Sequence, residues 1–174
     1  MSTLYEYYNT NDDTADGGYY AYWIAQTFTP TIAHKITSVK LKLYRAGDVG
    51  TVTVSIRATT SGLPSGNDLC SGTIAGNTLT TDTAGAWYEI TLGAGLNLVA
   101  NTKYAIVLRA PDNDYPIYVG WRSDDTAPAY AGGSHCYSSD SGGSWAATTT
   151  RDFMFEEWGE LVAAVGRSFG YIIG

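Results

Sequence analysis

Chemistry in this chain would have to come from its carboxylates, its two histidines or its hydroxyls. Adjacent carboxylates occur at Asp12/Asp13, Asp124/Asp125 and Glu156/Glu157. A glycosidase needs two such groups flanking one bond. Each of these pairs lies in a turn-like loop or at a strand end, where solvated acids are ordinary, and neighbours along a strand point to opposite faces. No G-x-S-x-G elbow is present, and His34 and His135 have no evident orienting partner. His34 reads as a solvated turn residue. The expectation is a non-enzymatic protein with no catalytic residue.

Metal chemistry fares little better. The stretch NDDTADGG puts Asp12, Thr14, Asp16 and Gly17 at positions 1, 3, 5 and 6 of an EF-hand loop, but position 12 falls on Trp23 and the flanks are strands. A structural calcium is the one cofactor worth testing, held by Asp12, Asp13 and Asp16, or by Asp112 and Asp114, as loop carboxylates hold it in many jelly-roll carbohydrate-binding modules. Cys70, Cys136 and the two histidines are too scattered to suggest a zinc cage. Spacing leaves open whether the cysteines pair.

Aromatics are the richest class, with five Trp and 14 Tyr. Tyr118, Trp121, Tyr130, Tyr137 and Trp145 fall in the late strands and loops. Rings stacked on sugar faces, with nearby Asp and Asn bonding hydroxyls, would make them a glycan platform. The competing reading is that such rings fill a sandwich core and pair across strands. The runs YEYY (5–8) and YYAYW (19–23) also suit subunit contacts, where Tyr and Trp are enriched.

The stretch SSDSGGSW (138–145) makes a turn on physical grounds. Asp140 can accept backbone N–H groups two residues on, Gly142 and Gly143 can take positive φ, and Trp145 restarts a strand with a large ring. Its S-x-D-x-G-x-x-W pattern resembles the Asp box of sialidases and related glycan-active propellers. There the box is a structural hairpin away from the chemistry and recurs along a longer chain. A single copy here implies a hairpin and no activity.

The elements that must position these residues follow from composition and alternation. The 174 residues suit one domain. Charged residues are only 16%, and Gly, Tyr and Thr abound, which is a β-rich composition. A net charge of −7 argues against nucleic acid as a partner. No stretch is long and apolar enough to span a membrane. Period-two alternation recurs at 19–28, 36–44, 51–58, 87–92, 103–110, 115–123 and 151–159, with a short apolar segment from Cys70 to Ile74. TVTVSIRA (51–58) is the clearest, with Val52, Val54 and Ile56 on one face. SGLPSGND (61–68) reads as a loop, because Pro64 and two glycines break a ladder. No helical period runs through the first 159 residues. The fold class is all-β, an antiparallel β-sandwich of jelly-roll type.

Residues 1–18 read as an N-terminal arm, 19–159 as the sandwich and 160–174 as an apolar assembly tail. In the tail, Leu161, Val162, Val165 and Phe169, then Tyr171, Ile172 and Ile173, are the candidate docking residues, since an apolar tail must pack on something. The first 18 residues show neither the basic nor the apolar region of a secretory leader. This fits synthesis without secretory export, or a chain supplied without its leader.

The motifs AQTFTP (25–30), ITSVKLKLYRAGDVGTVTVSIRATTSGLPSG (36–66), WYEITL (87–92), NTKYAIVLRA (101–110), SSDSGGSW and DFMFEEWG (152–159) come in one order. That order resembles the β-sandwich modules of bacterial, phage and metagenomic surface proteins, some of them choice-of-anchor domains. The resemblance implies a jelly-roll-like fold and a surface or virion context, with no activity attached. The first functional expectation is therefore a virion structural protein, a capsid decoration, head-fibre or tail-surface subunit. It would form homo-oligomers, dock on other virion proteins through its termini and expose the sandwich at the virion surface. The alternative is a carbohydrate-binding module of a larger secreted or surface protein, with glycans as partners. A small hydrolase comes third, for want of a nucleophile or acid/base pair.

Overall fold

The structure, a computed structural model, describes residues 1–112 and 114–162. Its strands are β1 (Thr3–Tyr8), β2 (Thr14–Gly18), β3 (Trp23–Phe28), β4 (His34–Ala46), β5 (Thr51–Thr60), β6 (Leu63–Ala75), β7 (Ala86–Leu98), β8 (Tyr104–Arg109), β9 (Tyr118–Asp124), β10 (His135–Ser138), β11 (Ala146–Thr148), β12 (Asp152–Phe153) and β13 (Phe155–Glu160). Among the described residues the only helix is a single 3-10 turn at Gly76–Thr78, so none is long and apolar enough to cross a membrane.

Two antiparallel sheets result. In the first, β4 pairs with β7 along one edge. Its other edge takes β13 over Lys35–Leu41 and β9 over Leu43–Ala46. Beyond these lie β1 on β13 and β2 on β9, with β12 bonded to the end of β9. The second sheet runs β11-β10-β3-β8-β5-β6. The pairs β3–β10, β4–β9 and β5–β8 nest around the β6–β7 connection that links the sheets. This is the doubled-over hairpin of a jelly roll. Gly72 of β6 lets the two sheets meet there, since a Cβ on it would stand 1.9 Å from the Thr91 carbonyl of β7.

Alternation explains the core. Val39, Leu41 and Leu43 of β4 and Val52, Val54 and Ile56 of β5 turn inward and are fully buried, while Lys40 and Lys42 turn outward. In β8 every residue from Tyr104 to Leu108 is buried. Ile106 and Leu108 face the main core, whereas Ala105 and Val107 join Ala25 and Cys136 in a second cluster under Trp23, Leu63 and Trp145. The six-stranded sheet is thus covered on both faces at its centre, as near-continuous apolar strands require.

Three features bear on the sequence expectations. Within the N-terminal arm, residues 3–8 and 14–18 are strands of the first sheet. Residues 63–68 are strand rather than loop: Ser61 and Gly62, at φ 52° and 81°, form a two-residue hairpin turn, and Pro64 pairs with Thr59 on a strand that has a hydrogen-bonded neighbour on one side only. Cys70 and Cys136 are both free thiols, and they face opposite sides of the same sheet, one toward the main core and one toward the second cluster. Of the assembly residues, Leu161 and Val162 are exposed. Val165, Phe169, Tyr171, Ile172 and Ile173 lie outside the described residues.

Candidate functional site

Tyrosines gather where β2, β4 and β9 meet the hairpin that leads into β3. That hairpin closes on two hydrogen bonds between Tyr19 and Tyr22, of 3.0 and 2.7 Å. Its tip residue Tyr20 takes φ 41°, uncommon for a bulky side chain and a pointer to function. Tyr44 lies opposite Gly120 in the β4–β9 ladder. Its ring occupies the space a Cβ on Gly120 would need, at 2.1 Å. Likewise the Tyr118 ring covers Gly17, 3.0 Å from where a Cβ would stand. Two glycines on neighbouring strands thus let two rings lie against the sheet.

The rings join into a ridge. Tyr118 stacks on Tyr115 at 6.4 Å and 7°, and Tyr115 meets Tyr19 at 6.0 Å. Tyr19 stacks on Tyr22 at 5.6 Å, and Tyr22 on Tyr137 at 5.9 Å. Tyr44 stands edge-on to Tyr118 at 6.1 Å and 78°. The ridge therefore runs from the seven-stranded sheet across to β10 of the six-stranded one. At its Tyr118 end is a cleft of about 260 Å³ lined by Ala15, Asp16, Gly17, Tyr19, Tyr44, Tyr115 and Tyr118. Tyr115, followed by a cis peptide to Pro116, is 70% exposed.

The electrostatics are those of neutral phenols beside an ionised acid. Burial and the bond to Tyr118 push the Tyr44 phenol up to about 12, and burial with the nearby Asp16 charge does the same for Tyr22. Burial alone would raise the Asp16 carboxyl. The bonds from His135 (3.3 Å) and the Gly17 N–H (2.8 Å), with the Arg151 charge, outweigh it and hold Asp16 below its usual range.

Of the aromatics expected to bind glycan, Tyr118 and Tyr137 belong to this ridge. Trp121 does not: it is 0% exposed, stacked on Phe153 at 4.3 Å, and its Nε1–H donates to the Met154 carbonyl at 2.8 Å. Alternation along β9 turns it inward with Val119, away from Tyr118. Trp145 lies half-buried over the second cluster. Tyr130 packs instead edge-on to Phe155, with its hydroxyl donating to Glu6 at 3.2 Å. It borders a separate open groove of about 550 Å³ with Thr31, Asn101 and Lys103. The sequence reading took Asp16 as a possible calcium ligand, gave Tyr19 and Tyr22 to a strand and to subunit contacts, and did not single out Tyr44 or Tyr115. The available signal was the pair of tyrosines bracketing a two-residue turn in YYAY.

The remaining acids are committed elsewhere. Asp12 bridges Lys42 and Arg122 at 2.8 Å each. Asp13 accepts the Asp125 and Thr126 N–H groups. Among the described residues no three His, Cys, Asp or Glu side chains gather as a metal site. Asp124 is buried and accepts the Tyr8 hydroxyl at 2.6 Å, while Asp125 is exposed. Glu156 faces out to Asn9 and Trp158, and Glu157 faces in. Asp140 accepts Ser138, Ser144 and the Ser144 N–H within its own turn, and those bonds draw its carboxyl down to about 2. Asp140 is therefore satisfied within its own turn.

His34 is the clearest departure from expectation, for it is fully buried rather than solvated. Its ring stacks on Tyr5 at 3.6 Å, Nδ1 lies 2.7 Å from the Ile32 carbonyl and Nε2 lies 2.8 Å from Glu157 Oε1. A carbonyl accepts only, so Nδ1 carries a proton. The Nε2–carboxylate contact then needs a second proton, on one partner or the other.

No family model matches the sequence, and no curated protein matches it significantly. Among solved structures, that of the cysteine protease and lectin-like domains of Cwp84, a surface layer associated protein of Clostridium difficile, superposes with a TM-score of 0.59 at 14% identity. The match covers 92% of this chain and 36% of that one, so this chain spans about a third of that structure's length. At that identity the likeness is one of fold: an antiparallel sandwich also found in a bacterial surface protein.

Proposed function

We propose that this domain is a carbohydrate-binding module of an extracellular or cell-surface protein, and that it grips glycan along the tyrosine ridge. The observation that carries the reading is the unbroken chain of rings Tyr118–Tyr115–Tyr19–Tyr22–Tyr137, each 5.6 to 6.4 Å from the next. A series of ring faces suits an extended sugar chain better than a single monosaccharide. Each face takes up the apolar side of a sugar ring, and the phenol hydroxyls and turn backbone bond its hydroxyls. The fold shared with a structure that includes a lectin-like domain supports the same reading.

The binding is non-catalytic in this account. The cleft lining holds one acid, Asp16, already bonded to His135 and Gly17, and no second carboxylate to share a glycosidic bond. The virion-surface role drew on the N-terminus, the composition, the resemblance and the apolar 160–174 tail, of which only residues 160–162 are described. It gains no support from the ridge and is not carried forward. A glycan array probed with the domain tests the proposal. Retention of one or more oligosaccharides by the parent protein, lost in Tyr115→Ala, is expected; silence across a broad array would sink the proposal.

A further inference from the structure

A flat platform would serve a sugar ring, but the Tyr118 end of the ridge is not flat. Tyr44 is inclined 78° to Tyr118, and Tyr19 is inclined 56° to Tyr115. The differently inclined rings of Tyr19, Tyr44, Tyr115 and Tyr118 line one small space of about 260 Å³. Such a corner suits a compact, roughly spherical group that every wall can contact at once.

Charge narrows the choice. Ring faces are the negative side of the aromatic quadrupole and attract cations, most strongly where water is displaced. Tyr44 remains a neutral phenol far above neutral pH. The lining includes the ionised Asp16 and contains no Lys or Arg. The two arginines whose charge reaches the tyrosines are tied to acids, Arg122 to Asp12, and Arg151 to Asp16 and Asp125. The chain as a whole carries −7. Among the described residues, an anionic sugar would meet no Lys or Arg in the lining of this cleft.

We infer that the cleft between Tyr44, Tyr115 and Tyr118 binds a cationic alkylammonium group, of the choline or tetramethylammonium type, carried as a substituent on the glycan that lies along the ridge. This inference rests on the glycan reading for the rest of the ligand, but the cleft can be tested alone. The group is small enough to enter the cleft, and its spread charge is desolvated at little cost while it faces the rings. The substituent anchors one end, and the sugar units follow the ridge toward Tyr137.

The test is a titration of the whole domain with choline chloride and with tetramethylammonium chloride, followed by NMR of the tyrosine rings at constant ionic strength. A parallel titration uses 3,3-dimethyl-1-butanol, the neutral isostere of choline. Saturable shifts at Tyr44, Tyr115 and Tyr118 are expected for the cations, with at least about tenfold weaker binding of the alcohol. Tyr115→Leu, an exposed site that leaves the fold intact, should weaken choline by about fivefold or more. Equal affinity for choline and the alcohol, or no saturable shift with either, overturns the inference. If the array still retains neutral oligosaccharides in that case, the glycan proposal survives; if the array is silent as well, both fall.

Discussion

Two aromatic regions on the outside of this sandwich look alike in sequence and differ in the fold. One is the tyrosine ridge, the other the patch where Trp23 and Trp145 cover Ala25, Ala105, Val107 and Cys136. The patch is closed. Arg57 and Arg109 lie over the Trp23 ring at 5.2 and 5.0 Å and share Asp68, whose carboxyl those bonds bring down to about 2 against the opposing effect of burial. The 138–145 turn folds over the same surface, with Gly142 against the Trp23 ring. Among the described residues no such lid covers the ridge, and Tyr20 and Tyr115 project into solvent. The lesson is that aromatic content marks where rings are spent, while the covering loop decides whether they pack or bind.

The comparison can be broken most forcefully in the core behind both regions. Trp121→Ala should cost about 3–5 kcal/mol of stability, measured by urea unfolding, because it empties a fully buried site and removes the Nε1–H bond to the Met154 carbonyl. A loss below about 1 kcal/mol would contradict its assignment as core. Next, Trp145→Ala should cost about 1–2 kcal/mol and leave glycan binding unchanged. Lost binding at full stability would move the ligand site from the ridge to the patch.

Acidity gives a smaller effect of defined sign. The His34–Glu157 pair, with Nδ1 held by Ile32, keeps a proton that the unfolded chain loses, so both groups titrate higher when folded, against the burial cost on His34 and with it on Glu157. Burial also raises Asp152. Groups raised on folding give stability that is complete below their unfolded values and is lost as pH rises through the folded ones. Asp12, Asp16, Asp68 and Asp140 are lowered, and their contribution disappears only below about pH 4. Thermal unfolding should therefore show stability that declines as pH rises from about 6 toward 8. Glu157→Gln should flatten that decline, because its amide can donate to a neutral His34. A steady rise from pH 5 to 8 would contradict the protonated pair.

The smallest stability effect sharpens the comparison most. Tyr115→Ala should change stability by less than about 0.5 kcal/mol, as exposed positions do, yet remove a central ring of the ridge. Unfolding and binding measured side by side separate the two regions.

The sandwich was legible because its strands carry period-two patterns that local chemistry enforces. Val52, Val54 and Ile56 specify both a strand and its buried face. Pro64 misled, since its meaning depends on whether its strand lies at an edge, which only the partner strands decide. Residues 3–8 hid for a related reason: Tyr5, Glu6 and Tyr8 are inward groups satisfied by His34, Thr31 and Asp124, partners found 25 to 116 positions away. The ridge was half legible. Tyr118 and Tyr137 stood in the expected late segments, but Tyr44 and Tyr118 meet through the β4–β9 register and two glycines, Gly17 and Gly120, about a hundred residues apart. Trp121 differs from Tyr118 only by odd or even place on one strand, and the sequence alone did not fix which face was inner.

The most direct test of the central claim is a calorimetric titration of the best oligosaccharide from the array against the parent domain and the Tyr115→Ala/Tyr137→Ala double variant. The account predicts at least about tenfold weaker binding by the variant at an unchanged melting temperature. Equal affinity in both proteins would place the ligand elsewhere and contradict the assignment of the ridge.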